Sequence, residues 1–142
     1  MIEDVVRYLK AECPVLAGKE INVNFLKAAP GEFSVDPIPC DPIIRKYPDG
    51  GFLGQFQFVL ASRELYDAGE EQLDVCAFYE AFSRWVEEVN RKGDLPRFSD
   101  GSRAVRFSVT AGGYLFSNTA ASARYQMQCR LIYEKEGVFD YE

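Results

Sequence analysis

The sequence predicts an α+β fold: a mainly antiparallel, mixed sheet of about five to six strands with two α-helices packed on one face. Three observations lead there. Two long stretches near the C-terminal end alternate apolar and polar residues with period two. A stretch of about twenty residues around Trp85 repeats apolar side chains at helical spacing instead. The length, 142 residues, suits one domain with room for one core.

The sheet is organised around its last strand pair, Arg103 to Glu134. In the first arm Val105, Phe107, Val109 and Ala111 fall on one face, and Arg106, Ser108 and Thr110 on the other. In the return arm Tyr125, Met127, Cys129, Leu131 and Tyr133 share a face, opposite Arg124, Gln126, Gln128 and Arg130. A one-residue slip would carry every apolar group into water, so a firmly set register is expected. Gly112-Gly113 marks a bulge or bend, and Tyr114-Leu115-Phe116 leads to a tip around Ser117-Asn118-Thr119.

Earlier elements follow from the same reasoning. Ile2, Val5, Val6 and Leu9 make one apolar stripe, which predicts a helix over residues 1–12, stopped by Pro14. Strands and a hairpin fill residues 20–63. Glu20 to Leu26 is the first strand, the Ala28 to Gly31 turn follows, and Phe33 to Asp36 is a short second strand. Pro37, Pro39 and Pro42 lack the N–H a central ladder needs, so this stretch is expected as a crossover or an edge. Ile43 to Tyr47 and Phe52 to Arg63 are strands around the turn Pro48-Asp49-Gly50-Gly51. The far end of the second of these reads as buried on both faces.

The main helix is expected over residues 71–92. Leu73, Cys76, Phe78, Tyr79, Phe82, Trp85, Val86 and Val89 form its wide apolar face, and Lys92-Gly93 closes it. Asp67, Glu70, Glu71 and Asp74 gather just before and within its first turns. A metal site or a paired acid and base is imaginable there, but carboxylates at a helix N-terminus need only the dipole to explain them. Residues 138–142 read as a loose acidic tail.

Charge and composition exclude several functions. The net charge is −6, which disfavours binding nucleic acid through phosphate contacts. The cysteines Cys13, Cys40, Cys76 and Cys129 show no C-x-x-C pair, so they read as reduced, mostly buried thiols. The charged N-terminus does not read as a signal peptide, so none is expected, and no apolar run approaches the ~20 residues of a membrane helix. A reducing cytoplasm is the expected place of synthesis. With no histidine there is no Ser-His-Asp or Cys-His arrangement, and no phosphate-cradling glycine loop occurs. The expectation is therefore no catalytic, cofactor-binding or metal-binding residues, no cofactor and no enzyme.

Four segments together carry a resemblance: SVDPIPCDPIIRKYPDGG, FQFVLASRELYDAG, FYEAFSRWVEEVNRKGDLP and GYLFSNTAASARYQMQCRLIYEKE. They resemble the small minor capsid or tail-terminator proteins of siphophages and prophages, over about Ile21 to Glu134. The most specific parts are Gly113 to Phe116, Ala123 to Gln126 and Cys129 to Tyr133. The resemblance implies a virion structural protein at the head–tail junction. Tail terminators form a six-subunit ring that caps the tail tube, stops its polymerisation and offers its other face to the head. Implied partners are further copies of the chain, the major tail tube protein and head-completion or neck proteins. DNA would pass through without sequence-specific binding, past acidic residues lining the bore. No membrane is implied.

A closed ring needs a heterologous contact, and a specific one buries roughly 1,600 Å². The hairpin would offer its second face or an edge to the neighbour. Arg106, Arg124, Gln126, Gln128 and Arg130 are expected on that face, with Tyr114 and Phe116 as aromatic anchors. Two alternatives remain at this stage. One is another neck component on the portal side. The other is a small cytoplasmic hydrolase or ligand-binding domain with two convergent carboxylates.

Overall fold

Alternating strands and amphipathic helices assemble into two layers, as a sheet with one apolar face requires. A computed structural model of the chain describes residues 1–16, 21–23, 32–65, 70–118 and 122–136. Helix α1 runs over Ile2–Glu12 and α2 over Glu70–Lys92. The strands are β1 (Ile21–Val23), β2 (Glu32–Ile38), β3 (Ile43–Lys46), β4 (Phe52–Leu65), β5 (Arg103–Asn118) and β6 (Ser122–Lys135). They form one mixed, mostly antiparallel sheet in the order β1-β2-β4-β6-β5, with β3 also on β4. Among the described residues only β1 and β2 run parallel. The α+β single domain expected from the sequence is thus the fold.

The helix-covered face is continuous across the sheet. Register sets Val35, Leu60 and Met127 in one row, and Pro37, Phe58, Cys129 and Val109 in the next. Phe33, Ser62 and Tyr125 form a third row on the same side. Val5 and Leu9 of α1 and Tyr79, Phe82, Trp85, Val86 and Val89 of α2 close over it into one core. Phe107 sits at an aromatic junction, with ring centroids 6.1 Å from Phe58, 6.3 Å from Phe82 and 6.1 Å from Trp85. Edge-on packing of this kind adds to the burial itself. Tyr79 brings its one polar atom into this core with partners. Its hydroxyl lies 2.8 Å from Ser62 Oγ and donates to the Tyr125 carbonyl at 3.1 Å.

The ends of α2 follow its sequence. Gly93 takes φ +77°, and the Asp94 N–H reaches back to the Val89 carbonyl at 3.0 Å, so a glycine closes the helix as expected. Glu70 and Glu71 occupy its first turn. Asp67 lies outside the described residues, as do the Ala28 to Gly31 turn and the acidic tail.

Pro37 stands inside β2 rather than beyond it, paired with Phe58. Among the described residues β1 covers β2 from Phe33 to Val35, and Pro37 lies past that stretch. Residues 39–42 then cross to β3. The β3–β4 hairpin turns where expected: Gly50 takes φ +88°, and the Gly51 N–H donates to Asp49 Oδ1 at 2.9 Å. The far end of β4 is buried on both faces at Leu60, Ala61 and Ser62.

The simple alternation expected for the first hairpin arm is corrected. β5 shifts register against β6 four times: at Ala104/Arg106, Val109/Ala111, Ala111/Tyr114 and Leu115/Ser117. Each shift inserts a residue and turns the following side chains over. Val105 therefore leaves the core face and is 42 % exposed, while Ala111 pairs with Gln128 on the outer face. The third shift spans Gly112-Gly113, where a bulge is expected. Strand β6 keeps its alternation unbroken against β4.

Candidate functional site

The sheet face away from the helices is polar, and its residues follow from register. One row is Arg103, Glu134, Leu53 and Arg45, read from β5 through β6 and β4 to β3. Beside it lie Arg106, Ile132 and Gln55. A third row holds Ser108, Arg130, Gln57 and Ile38. A fourth holds Ala111, Gln128, Val59 and Asp36, and a fifth Tyr114, Gln126, Ala61 and Ser34. Adjacent strands lie about 4.8 Å apart and same-face neighbours along a strand about 6.7 Å apart, so the first three rows form one patch.

Four arginines stand in that patch. Arg45, Arg103 and Arg106 are exposed, and Arg130 is half-buried. Arg103 makes an ion pair with Glu134 at 3.4 Å, between exposed groups. Arg130 is held differently. Its Nε donates to Gln55 Oε1 at 2.9 Å, and Gln57 Nε2 donates to the same oxygen at 3.2 Å. Gln55 Nε2 in turn donates to the Asp41 carbonyl at 2.7 Å, which ties the β2–β3 crossover to the patch. Fixing Nε sets the plane of a guanidinium whose remaining N–H groups form a rigid fork suited to carboxylates.

Apolar groups stand among these charges. Leu53, Ile132 and Ile38 are half-buried there, while Ile44 and Val105, each 42 % exposed, lie next in the chain to Arg45 and Arg106. Ile44 and Val105 are the residues inserted at two register shifts, one in β3 and one in β5. The face is net basic on a chain of net charge −6. Among the described residues of these three rows the cations are all arginines, the charged residue that protein interfaces favour over lysine.

The residues expected from the sequence fall as follows. Arg106, Gln126, Gln128 and Arg130 all lie on the outer face. Gln126, however, is only 7 % exposed, so it is part of the packing rather than of an open surface. Gln128 is half-buried. Arg124 pairs in register with Arg63 and Ser117, and Tyr114 with Gln126. Phe116 falls at the shift between Leu115 and Ser117. The side chains of Arg124, Tyr114 and Phe116 lie outside the described residues.

Sequence reasoning missed Arg45, Arg103, Gln55 and Asn90. A bulge in β3 decides the face of Arg45, and the local pattern carries no sign of it. Asn90 did leave a signal: a polar residue one turn after Val86, in the apolar stripe of α2. It lies beside β5 in a groove of about 550 Å³ between helix and strand. Among the described residues, no three or more acidic or cysteine side chains gather as metal ligands would, and no helix is long and apolar enough to cross a membrane. No protein-family model matches the sequence, and no curated protein matches it.

Proposed function

We propose that this chain is a ring-forming structural protein of the phage head–tail junction, of the tail-terminator kind, acting through its outer sheet face. The observation that carries the reading is the patch of Arg45, Arg103, Arg106 and Arg130 set among Leu53, Ile132 and Ile38. A surface of this composition serves contact rather than chemistry. Its guanidinium forks can take carboxylates from an acidic neighbour, and the rest of this acidic chain supplies such a neighbour. A contact between two different faces of identical subunits is heterologous, and it closes into a ring when the rotation returns to its start. The arginines are then used in subunit contacts, and DNA passes acidic residues that do not hold it. The resemblance of four sequence segments to tail terminators points the same way.

Polymerisation of the tail tube tests this reading. Tube protein alone extends to undefined length. Adding this protein early should give short tubes, with its density at one end. Tubes of unchanged length overturn the assignment as terminator. Binding to portal or connector rings, with tubes unaffected, assigns the chain to another position in the neck.

A further inference from the structure

Strand β5 ends the strand order. At its start the connector covers that edge, where Arg97 bridges Arg103 and the Ala104 N–H donates to the Pro96 carbonyl at 2.9 Å. Beyond Ala104 the backbone groups turned away from β6 meet no further strand among the described residues. Exposed edge groups of this kind invite pairing with another chain. At Phe107 they meet a side chain instead. The Phe107 N–H donates to Asn90 Oδ1 at 2.8 Å, and Asn90 Nδ2 donates to the Phe107 carbonyl. This is the two-bond exchange that a residue of an antiparallel neighbour would make. Asn90 Nδ2 also donates to the Val86 carbonyl at 2.9 Å, which orients the carboxamide toward the strand.

The position matters as much as the bonds. Register shifts at Ala104/Arg106 and Val109/Ala111 break the edge on either side, leaving a short regular stretch with Phe107 within it. Bulges already make the flanks poor templates. Asn90 occupies the regular stretch that remains. The groove beside it, lined by Ser83, Glu87 and Asn90 of α2 and by Val105, Arg106 and Val109 of β5, is the approach a strand would use.

We propose that Asn90 is an edge guard: it fills the hydrogen-bonding positions that a strand from a second copy would take at Phe107, and so keeps β5 from pairing between copies. The inference does not rest on the terminator reading. It concerns the edge of the sheet, whereas the proposed ring contact uses its outer face.

The test compares the wild type, Asn90→Ala and the double variant Asn90→Ala with Ser83→Lys. Amide exchange at Phe107 and sedimentation over a concentration series are the two readouts. In Asn90→Ala, exchange at Phe107 should quicken about fivefold to tenfold, the worth of one net hydrogen bond. Its mass distribution should broaden with concentration beyond the species of the wild type. The added lysine on the groove wall should reverse the broadening while Phe107 stays fast to exchange. An Asn90→Ala protein whose mass distribution matches the wild type overturns the proposal. So does one that aggregates equally with and without the lysine, since general unfolding gives that result.

Discussion

Gly54 lies directly opposite Tyr133 in the β4–β6 ladder, and the tyrosine ring closes over it. A Cβ at position 54 would come within 2.5 Å of Tyr133 Cζ. The ring is held by edge-on neighbours, Phe52 at 6.1 Å and Phe98 at 5.6 Å between centroids. It cannot turn aside without disturbing both. Gly54→Ala should therefore destabilise the protein by about 1–3 kcal/mol, as overpacking does. A lower urea midpoint at unchanged slope would report it; a midpoint equal to wild type would show that the ring yields freely.

Helix α1 is fastened to the α2–β5 connector by Asp4. Its Oδ2 accepts from the Ser99 N–H at 3.3 Å and from Ser99 Oγ at 3.1 Å, and its Oδ1 lies 3.4 Å from Arg7. The carboxylate is 8 % exposed. Asp4→Ala leaves the Ser99 donors without this acceptor, at a cost of about 1–3 kcal/mol. Asp4→Asn keeps one acceptor oxygen and should lose less. Equal midpoints for the two variants would mean that Ser99 finds other partners.

What the sequence could tell depended on how local each signal was. The α2 stripe and the β6 alternation are complete within their own segments, and both map onto buried faces over Tyr79 to Val89 and Tyr125 to Tyr133. The turn at Gly50 and the helix stop at Gly93 were equally readable, because each requires a positive φ that glycine adopts without strain. Register shifts are not local. Nothing within Val105 to Ala111 says that a residue is inserted on each side of Phe107, since a bulge is defined by the partner strand. Hence the local pattern puts Val105 on the core face, whereas it stands exposed. Burial of Gln126 on the polar face depends equally on what folds near it. The guard at Phe107 needed the pairing of a helix residue with a strand seventeen positions later.

The thiols and phenols make stability fall in alkaline solution. Burial pushes the Cys129 thiol far above its ordinary value and raises Cys13 to about 11. Burial also raises Tyr8 and Tyr133, with help from Glu12 and Asp94 near Tyr8 and from Asp100 near Tyr133. A raised folded value means that the native state holds protons the unfolded chain releases. The contribution is complete below the unfolded thiol value, about 8.5, and is lost as pH rises through the folded values. Urea midpoints should hold level to about pH 8 and then decline toward pH 11. Cys129→Ala should flatten part of that decline. The same burial predicts slow modification of Cys13 and Cys129 by a thiol reagent in the native state, with half-buried Cys40 reacting before either. Rapid native modification of Cys129 would contradict the packing around it.

Arg106 and Arg130 separate contact from stability on the same face. Arg106 is exposed and pairs in register with Ile132, while Arg130 is half-buried and bonded to Gln55. Arg106→Glu should leave the urea midpoint within about 0.5 kcal/mol of wild type, as exposed substitutions do. It should nonetheless abolish tube shortening, because a carboxylate now faces an acidic neighbour and like charges repel at a contact. Arg130→Ala removes a donor from Gln55 as well, so it should lower both stability and tube shortening. The order of the two effects decides the role of the face. If Arg106→Glu still shortens tubes as the wild type does, the arginines serve the fold alone and the contact surface must be sought among the helices.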